Sequence, residues 1–129
     1  MSLIVQKYGG TSVGSVERIE AVADKIAAFC EKGHEVVVAV SAMSGETNRL
    51  INLAQEVNDN PNRRELDVLL STGEQVSISL LCMALNKRDI QANHILVIKS
   101  EYLQIMLLVK QELRISIQKK YLLTLRLVL

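Results

Sequence analysis

Residues 93–129 contain no glycine, no proline, no alanine and no aspartate, whereas all six glycines and the single proline lie before them. A compact α/β domain keeps placing turn residues between its elements, so the organisation of this chain changes near Ala92. Charge changes at the same point. Residues 1–92 carry nine basic and twelve acidic side chains, residues 93–129 six and two. The whole chain has a formal net charge of +1, which leaves no electrostatic case for nucleic acid. The two cysteines, Cys30 and Cys82, are too few for a disulfide framework and have no CxxC spacing. Reduced, buried thiols of a cytosolic protein are the simpler expectation. No unbroken apolar stretch reaches the ~20 residues of a membrane span, and the run before Lys7 is too short for a signal peptide. A cytoplasmic location with no membrane partner is therefore expected. What the chain does have is 49% hydrophobic and 22% charged residues over 129 positions, enough to bury the core of one domain.

Along the chain, Leu3 to Val5 form a short β-prone run that ends at Gly9-Gly10. Ser12 or Ser15 can cap a helix whose apolar positions Val16, Ile19, Val22, Ile26 and Cys30 recur at helical spacing. Lys32-Gly33 is a helix stop. "EVVVAVSAM" reads as a strand buried on both faces. Ser44 or Thr47 then opens a second helix through Leu50, Ile51, Leu53, Ala54 and Val57, and "NDNPN" is a loop. Helical pattern resumes over Arg64–Leu70, breaks at "STGE", and continues through Val76, Leu80, Leu81, Met83, Ala84 and Leu85. This alternation predicts an open, mainly parallel sheet with helices on both faces, an αβα arrangement. Ligands of such sheets bind at the carboxyl ends of the strands.

Three motifs sit where that rule points. In "KYGGTS" a glycine pair between strand and helix lets backbone N–H groups approach an anion, and Lys7 adds a flexible cation. The segment reads as a phosphate cradle or as an ordinary βα turn, since it lacks the GxxxxGK[ST] spacing. "VSAMSGETN" offers the hydroxyls of Ser41, Ser44 and Thr47 to a carboxylate or phosphate, or simply caps a helix. "STGEQ" presents Glu74 at a fresh helix start, either to receive an ammonium group or to favour the helix dipole. His34 and His94 have no metal-ligand spacing, and Arg63–Glu65 reads as a solvated helix start.

Taken together, "KYGGTSVGSVERI", "VVVAVSAMSGETNRLI" and "RELDVLLSTGEQVSISLLCMAL" resemble, in order and spacing, the start of the bacterial aspartate kinases, over residues 2–92. The resemblance implies a partial amino-acid kinase fold and ATP-dependent phosphorylation of the L-aspartate side-chain carboxylate. The product, aspartyl phosphate, would feed lysine, threonine and methionine synthesis. Carried over by position, Lys7 is the phosphate-contacting and catalytic lysine, with Tyr8, Gly9, Gly10 and Ser41 completing the ATP site. Thr47 contacts aspartate and Glu74 receives its α-ammonium. Magnesium accompanies ATP, and no protein ligand set for a metal is visible. Another amino-acid kinase, directed at glutamate or acetylglutamate, stays open beside this reading, as does a non-enzymatic fragment whose tail binds a partner.

Residues 93–129 depart from the family. Writing His94 to Lys99 as CAT ATA CTG GTA ATC AAG and regrouping from the last base of the first codon yields Tyr-Thr-Gly-Asn-Gln, in the family's style. A single-frame slip just after Ala92 is inferred. Residues 1–92 are thus expected to be the N-terminal part of a kinase catalytic domain, and residues 93–129 an out-of-frame tail. Such a chain is expected to lack further catalytic residues and the regulatory domains, and to be inactive alone. Its parent enzyme is expected to be a homo- or hetero-oligomer, and the fragment to self-associate through exposed edges and apolar faces.

Overall fold

A computed structural model describes residues 2–95 and 123–126. The order is β1 (Leu3–Tyr8), α1 (Val16–Glu31), β2 (Glu35–Val40), α2 (Glu46–Val57), α3 (Arg63–Asn86), β3 (Ala92–Ile95) and β4 (Leu123–Arg126). The four strands form one sheet in the order β1-β2-β4-β3, and every pairing is parallel. This is the open parallel α/β sheet that the alternation of elements implied. Most of the segment assigned to a frame slip lies outside the described residues, but β4 comes from it and stands between β2 and β3.

Register decides what the sheet shows to each side. Leu3 pairs with Glu35 and Tyr8 with Val40, so β1 and β2 end level. Neighbours in a parallel pair share a face. Ile4, Gln6 and Tyr8 therefore line up with Val36, Val38 and Val40, while Leu3, Val5 and Lys7 line up with Glu35, Val37 and Ala39. The three valines of β2 are buried in a core with Val13, with Ile19, Val22, Ala23 and Ile26 of α1, and with Ile78, Leu81, Cys82, Ala84 and Leu85 of α3. The other face carries Leu3 and Val5, 49% and 72% exposed.

The helix ends follow local chemistry. Ser15 caps α1, its side chain accepting from the Arg18 N–H. At the other end Gly33 takes φ +78. The Gly33 N–H donates to the Cys30 carbonyl and the His34 N–H to the Phe29 carbonyl, which closes the last turn. Asn62 caps α3 through the Arg64 N–H. The start of α2 differs from the sequence expectation. Neither Ser44 nor Thr47 caps it; Gly45, at φ +82, occupies the cap position and makes no side-chain hydrogen bond.

A larger difference concerns α3, which runs unbroken through "STGE". A glycine inside a helix costs only about 1 kcal/mol relative to alanine. Ser71 and Thr72 turn their hydroxyls back onto the Val68 and Leu69 carbonyls, so neither opens the ladder. Glu74 is therefore mid-helix, and the dipole argument for it falls away. By length and composition α3 is the one described helix that could cross a membrane, with mean hydropathy 1.5 over its most apolar window. Its buried residues lie between Gly73 and Leu85, and the helix packs on α1, α2, β2 and β3. Of the apolar positions of α2 only Leu50 is buried, and Val57 is 86% exposed. Among the described elements α2 packs chiefly on α3.

Arg88, just past α3, ties that helix to α1. Its guanidinium meets the Glu20 carboxylate at 2.6 Å and Asp24 at 2.7 Å. Arg88 and then Lys87 hold the Glu20 carboxyl below its ordinary range through hydrogen bonds.

Burial predicts opposite outcomes two positions apart on α3. Leu81 is fully buried and Met83 is 65% exposed. Leu81→Ala is expected to cost about 2–5 kcal/mol, and Met83→Ala to stay within about 0.5 kcal/mol. Urea denaturation checks both, as a fall in the midpoint at constant slope for the first variant only.

Candidate functional site

Because β1 and β2 end level, the loops after Tyr8 and Val40 leave the same edge of the sheet side by side. The Ser41 N–H extends the ladder by one bond, donating to the Tyr8 carbonyl at 3.1 Å. Beyond it the two loops touch at backbone distance. A Cβ on Gly10 would lie 2.8 Å from the Ala42 carbonyl oxygen, and one on Gly14 would lie 3.2 Å from the Ser44 Cβ. No side chain fits at Gly10 without moving backbone. Gly9 differs, since the nearest atom to its would-be Cβ is the Lys7 Nζ at 3.8 Å. The ammonium group thus lies over the open glycine, beside backbone that carries no side chain. Loop geometry is reinforced from α1, where Arg18 donates to the Thr11 carbonyl at 2.6 Å.

The far wall is α3. Gly73 has its own tight surroundings: a Cβ there would lie 3.1 Å from the Ala42 Cβ and 3.3 Å from the Glu46 Cγ. The missing side chain lets this turn of α3 rest on the end of β2 and the start of α2. One turn on, Ser77 is fully buried, and its hydroxyl reaches the Ser41 carbonyl at 2.8 Å and the Gly73 carbonyl at 3.1 Å. Sequence reasoning passed over Ser77 and the packing role of Gly73. A polar residue in the middle of "VSISLL" was the available signal for the first.

Each sequence-derived candidate can now be placed. Lys7, Gly9, Gly10 and Ser41 come together at the carboxyl edge of β1 and β2. Lys7 is exposed on the face away from α1 and α3. Tyr8 is half-buried on the opposite face; its hydroxyl donates to the Gln6 side-chain oxygen at 2.9 Å, and burial raises its pKa. Thr47 is exposed in the first turn of α2, beside Glu46, whose carboxylate grips Arg49 in two hydrogen bonds of 2.9 and 2.7 Å. Glu74 is half-buried on the turn that Gly73 brings in. Its Oε2 is buried with no hydrogen-bond partner, and desolvation raises the carboxyl above its ordinary range. Such an oxygen is an acceptor without a donor. No group of three or more His, Cys, Asp and Glu side chains suited to a metal occurs among the described residues. His34 bonds the Ser2 hydroxyl, and His94 is exposed.

A glycine loop with a lysine at the strand edge, and a helix turn with a half-buried carboxylate packed on the neighbouring strand end, suit a ligand with phosphate at one end and a cation at the other. The sequence model of the amino acid kinase family matches residues 2–124. The chain belongs to the amino acid kinase family. Within it, the aspartokinase of Pseudomonas aeruginosa is 66% identical over 92 residues, which cover 71% of this chain and 22% of that one. Aspartokinase 2 of Bacillus subtilis is 56% identical over the same length, with the same coverage. The chain thus spans about a fifth of the length of the curated relatives it matches. Among solved structures, the aspartate kinase of Synechocystis superposes with a TM-score of 0.72 at 40% identity, over 97% of this chain and 22% of that one. Escherichia coli aspartokinase III in complex with aspartate and ADP superposes with a TM-score of 0.67 at 20% identity, over 95% and 40%, and shows the shared fold.

Two consequences distinguish residues that look alike in sequence. Gly10→Ala must displace the Ala42 carbonyl and is expected to cost about 1–3 kcal/mol. Gly9→Ala meets only a mobile ammonium and is expected to cost far less; thermal unfolding of both variants reads the contrast. A carboxyl whose pKa is raised by folding binds its proton more tightly in the native state. Its penalty is absent below the ordinary Glu value of about 4.3 and grows as pH rises through the raised one. Glu74→Gln should therefore match the parent in stability at pH 4 and exceed it at pH 8, as measured by urea midpoints.

Proposed function

We propose that this chain carries the phosphate-side and acceptor-side elements of an aspartate kinase. That enzyme transfers the γ-phosphoryl group of ATP to the side-chain carboxylate of L-aspartate. The single observation that carries the reading is the half-buried Glu74 carboxylate, whose Oε2 has no hydrogen-bond partner, standing on the turn packed against the strand end that bears Ser41. Identities of 54–66% to aspartate kinases over 92 residues support it. So does the crystallisation of a protein of this fold with aspartate and ADP.

Phosphoryl transfer between two anions depends on positioning and charge neutralisation more than on covalent chemistry. Lys7 offsets negative charge on the transferred group, and the Gly9 and Gly10 N–H groups hold phosphate oxygens beside it. Ser41 borders the same cleft, and the Tyr8 backbone frames it. Glu74 takes the α-ammonium of aspartate, which satisfies its buried oxygen, and Thr47 contacts the amino acid at the start of α2. With both ends held, the side-chain carboxylate faces the γ-phosphate. Magnesium accompanying ATP would supply further neutralisation, with no described residue assigned to hold it. The reading assigns residues 1–92 to the catalytic domain and residues 93–129 to an out-of-frame tail. Aspartate kinase coding in the neighbouring frame of the gene would support that division, and its absence would remove it.

Amide chemical shifts of the purified chain test the assignment. ATP with magnesium is expected to move residues 7–10 and 41, and L-aspartate residues 47 and 74. Lys7→Ala removes a charged hydrogen bond of about 1.5–3 kcal/mol, hence roughly 10–100-fold in ATP affinity. Glu74→Gln should weaken aspartate and leave ATP unchanged. Equal responses to L-glutamate would favour another amino-acid kinase. No turnover is expected from a chain spanning a fifth of its relatives, and turnover abolished by Lys7→Ala would overturn that.

A further inference from the structure

Ser77 is the one polar residue in the buried core among the described residues, at 0% exposure. Its one hydroxyl proton is shared between a carbonyl of its own helix and one outside it. That hydroxyl leaves the helix and meets the Ser41 carbonyl at 2.8 Å, while staying 3.1 Å from the Gly73 carbonyl. Ser41 is then held on both sides, its N–H by the Tyr8 carbonyl of β1 and its own carbonyl by Ser77 of α3. Glu74 follows Gly73 directly, and its buried Oε2 has no partner to fix it. The direction of that carboxylate is set by the helix turn beneath it. A Cβ at Gly73 would lie 3.1–3.4 Å from side-chain atoms of Ala42, Glu46 and Leu50, so the turn packs closely there through apolar contact that is not directional.

We infer that Ser77 is a positioning residue: its hydroxyl latches the Glu74 turn of α3 to the strand end carrying Ser41, and so sets the spacing between the acceptor and phosphate halves of the site. This rests on the roles proposed for Ser41 and Glu74, but its test needs no ligand. The charged groups on the elements around this turn are few. On α2 they are Glu46 and Arg49, paired with each other, and Glu56 near the far end of that helix; on β1 there is Lys7. Between Asp67 and Lys87, Glu74 is the only charged residue of α3 itself.

The readout is the titration midpoint of the Glu74 carboxyl carbon, followed by NMR in the folded 129-residue chain. Ser77→Ala should let the turn drift and water enter, lowering the midpoint by about 0.5 pH unit toward the ordinary Glu value. Ser77→Thr keeps the hydroxyl and should hold the wild-type midpoint. Ile26→Val, a remote core change that lowers stability, should leave it unmoved. Should Ser77→Ala not fold, Ser77→Cys, with its weak S–H donor, is expected to lower the midpoint in the same direction. A midpoint unchanged in the Ala or Cys variant, or moved equally by Thr or by Ile26→Val, overturns the inference. Aspartate failing to bind would count against the proposed function and leave the latch standing; a latch that fails would leave aspartate binding to be judged separately.

Discussion

The site depends on two loops meeting at backbone distance. The loop after β1 and the loop after β2 leave the sheet level with each other, and Gly10 lets the first lie against the Ala42 carbonyl of the second. Any side chain there would hold the two loops apart. α3 closes the other side under the same kind of constraint, with Gly73 resting on Ala42. Ala42 is therefore touched from both directions, and the absence of two Cβ atoms sets the dimensions of the cleft. Packing at this density tolerates little adjustment.

Apolar and polar forces divide the work. The core of β2, α1 and α3 is aliphatic and supplies the burial that holds the layers together. Arg88 adds an ion-paired clamp between the end of α3 and α1, where partial exposure keeps its contribution modest. At the site end the fold accepts a cost. The Glu74 carboxylate is desolvated and one oxygen has no donor, an arrangement that a purely structural residue would avoid.

Much of this was legible in the residues. Apolar spacing placed β1, α1, β2 and α3, and the glycine pair with its lysine marked the edge where the cleft lies. What escaped reading depended on contacts between distant segments. "STGE" looked like a helix break because glycine is a poor helix former, yet the helix continues since its neighbour across the interface requires the missing Cβ. Ser44 and Thr47 have the chemistry of caps, but the left-handed turn at Gly45 places neither where it can accept the first N–H groups. Leu53 and Val57 keep helical spacing and still stay exposed, because α2 packs chiefly on α3 among the described elements. Gly9 and Gly10 are indistinguishable as letters, and only the fold says which one is crowded.

The position of β4 has a kinetic meaning. Val38 pairs with Leu125, 87 positions further along, and β3 reaches the sheet only through β4. β1, α1 and β2 are close in sequence and can assemble early, since short loops close at little entropic cost. The right half of the sheet must wait for a segment at the far end of the chain, a high-contact-order step of the kind that slows folding. Until it arrives, β2 presents an unpaired edge of valines, and the nascent protein's exposure to misassociation lasts as long as that wait.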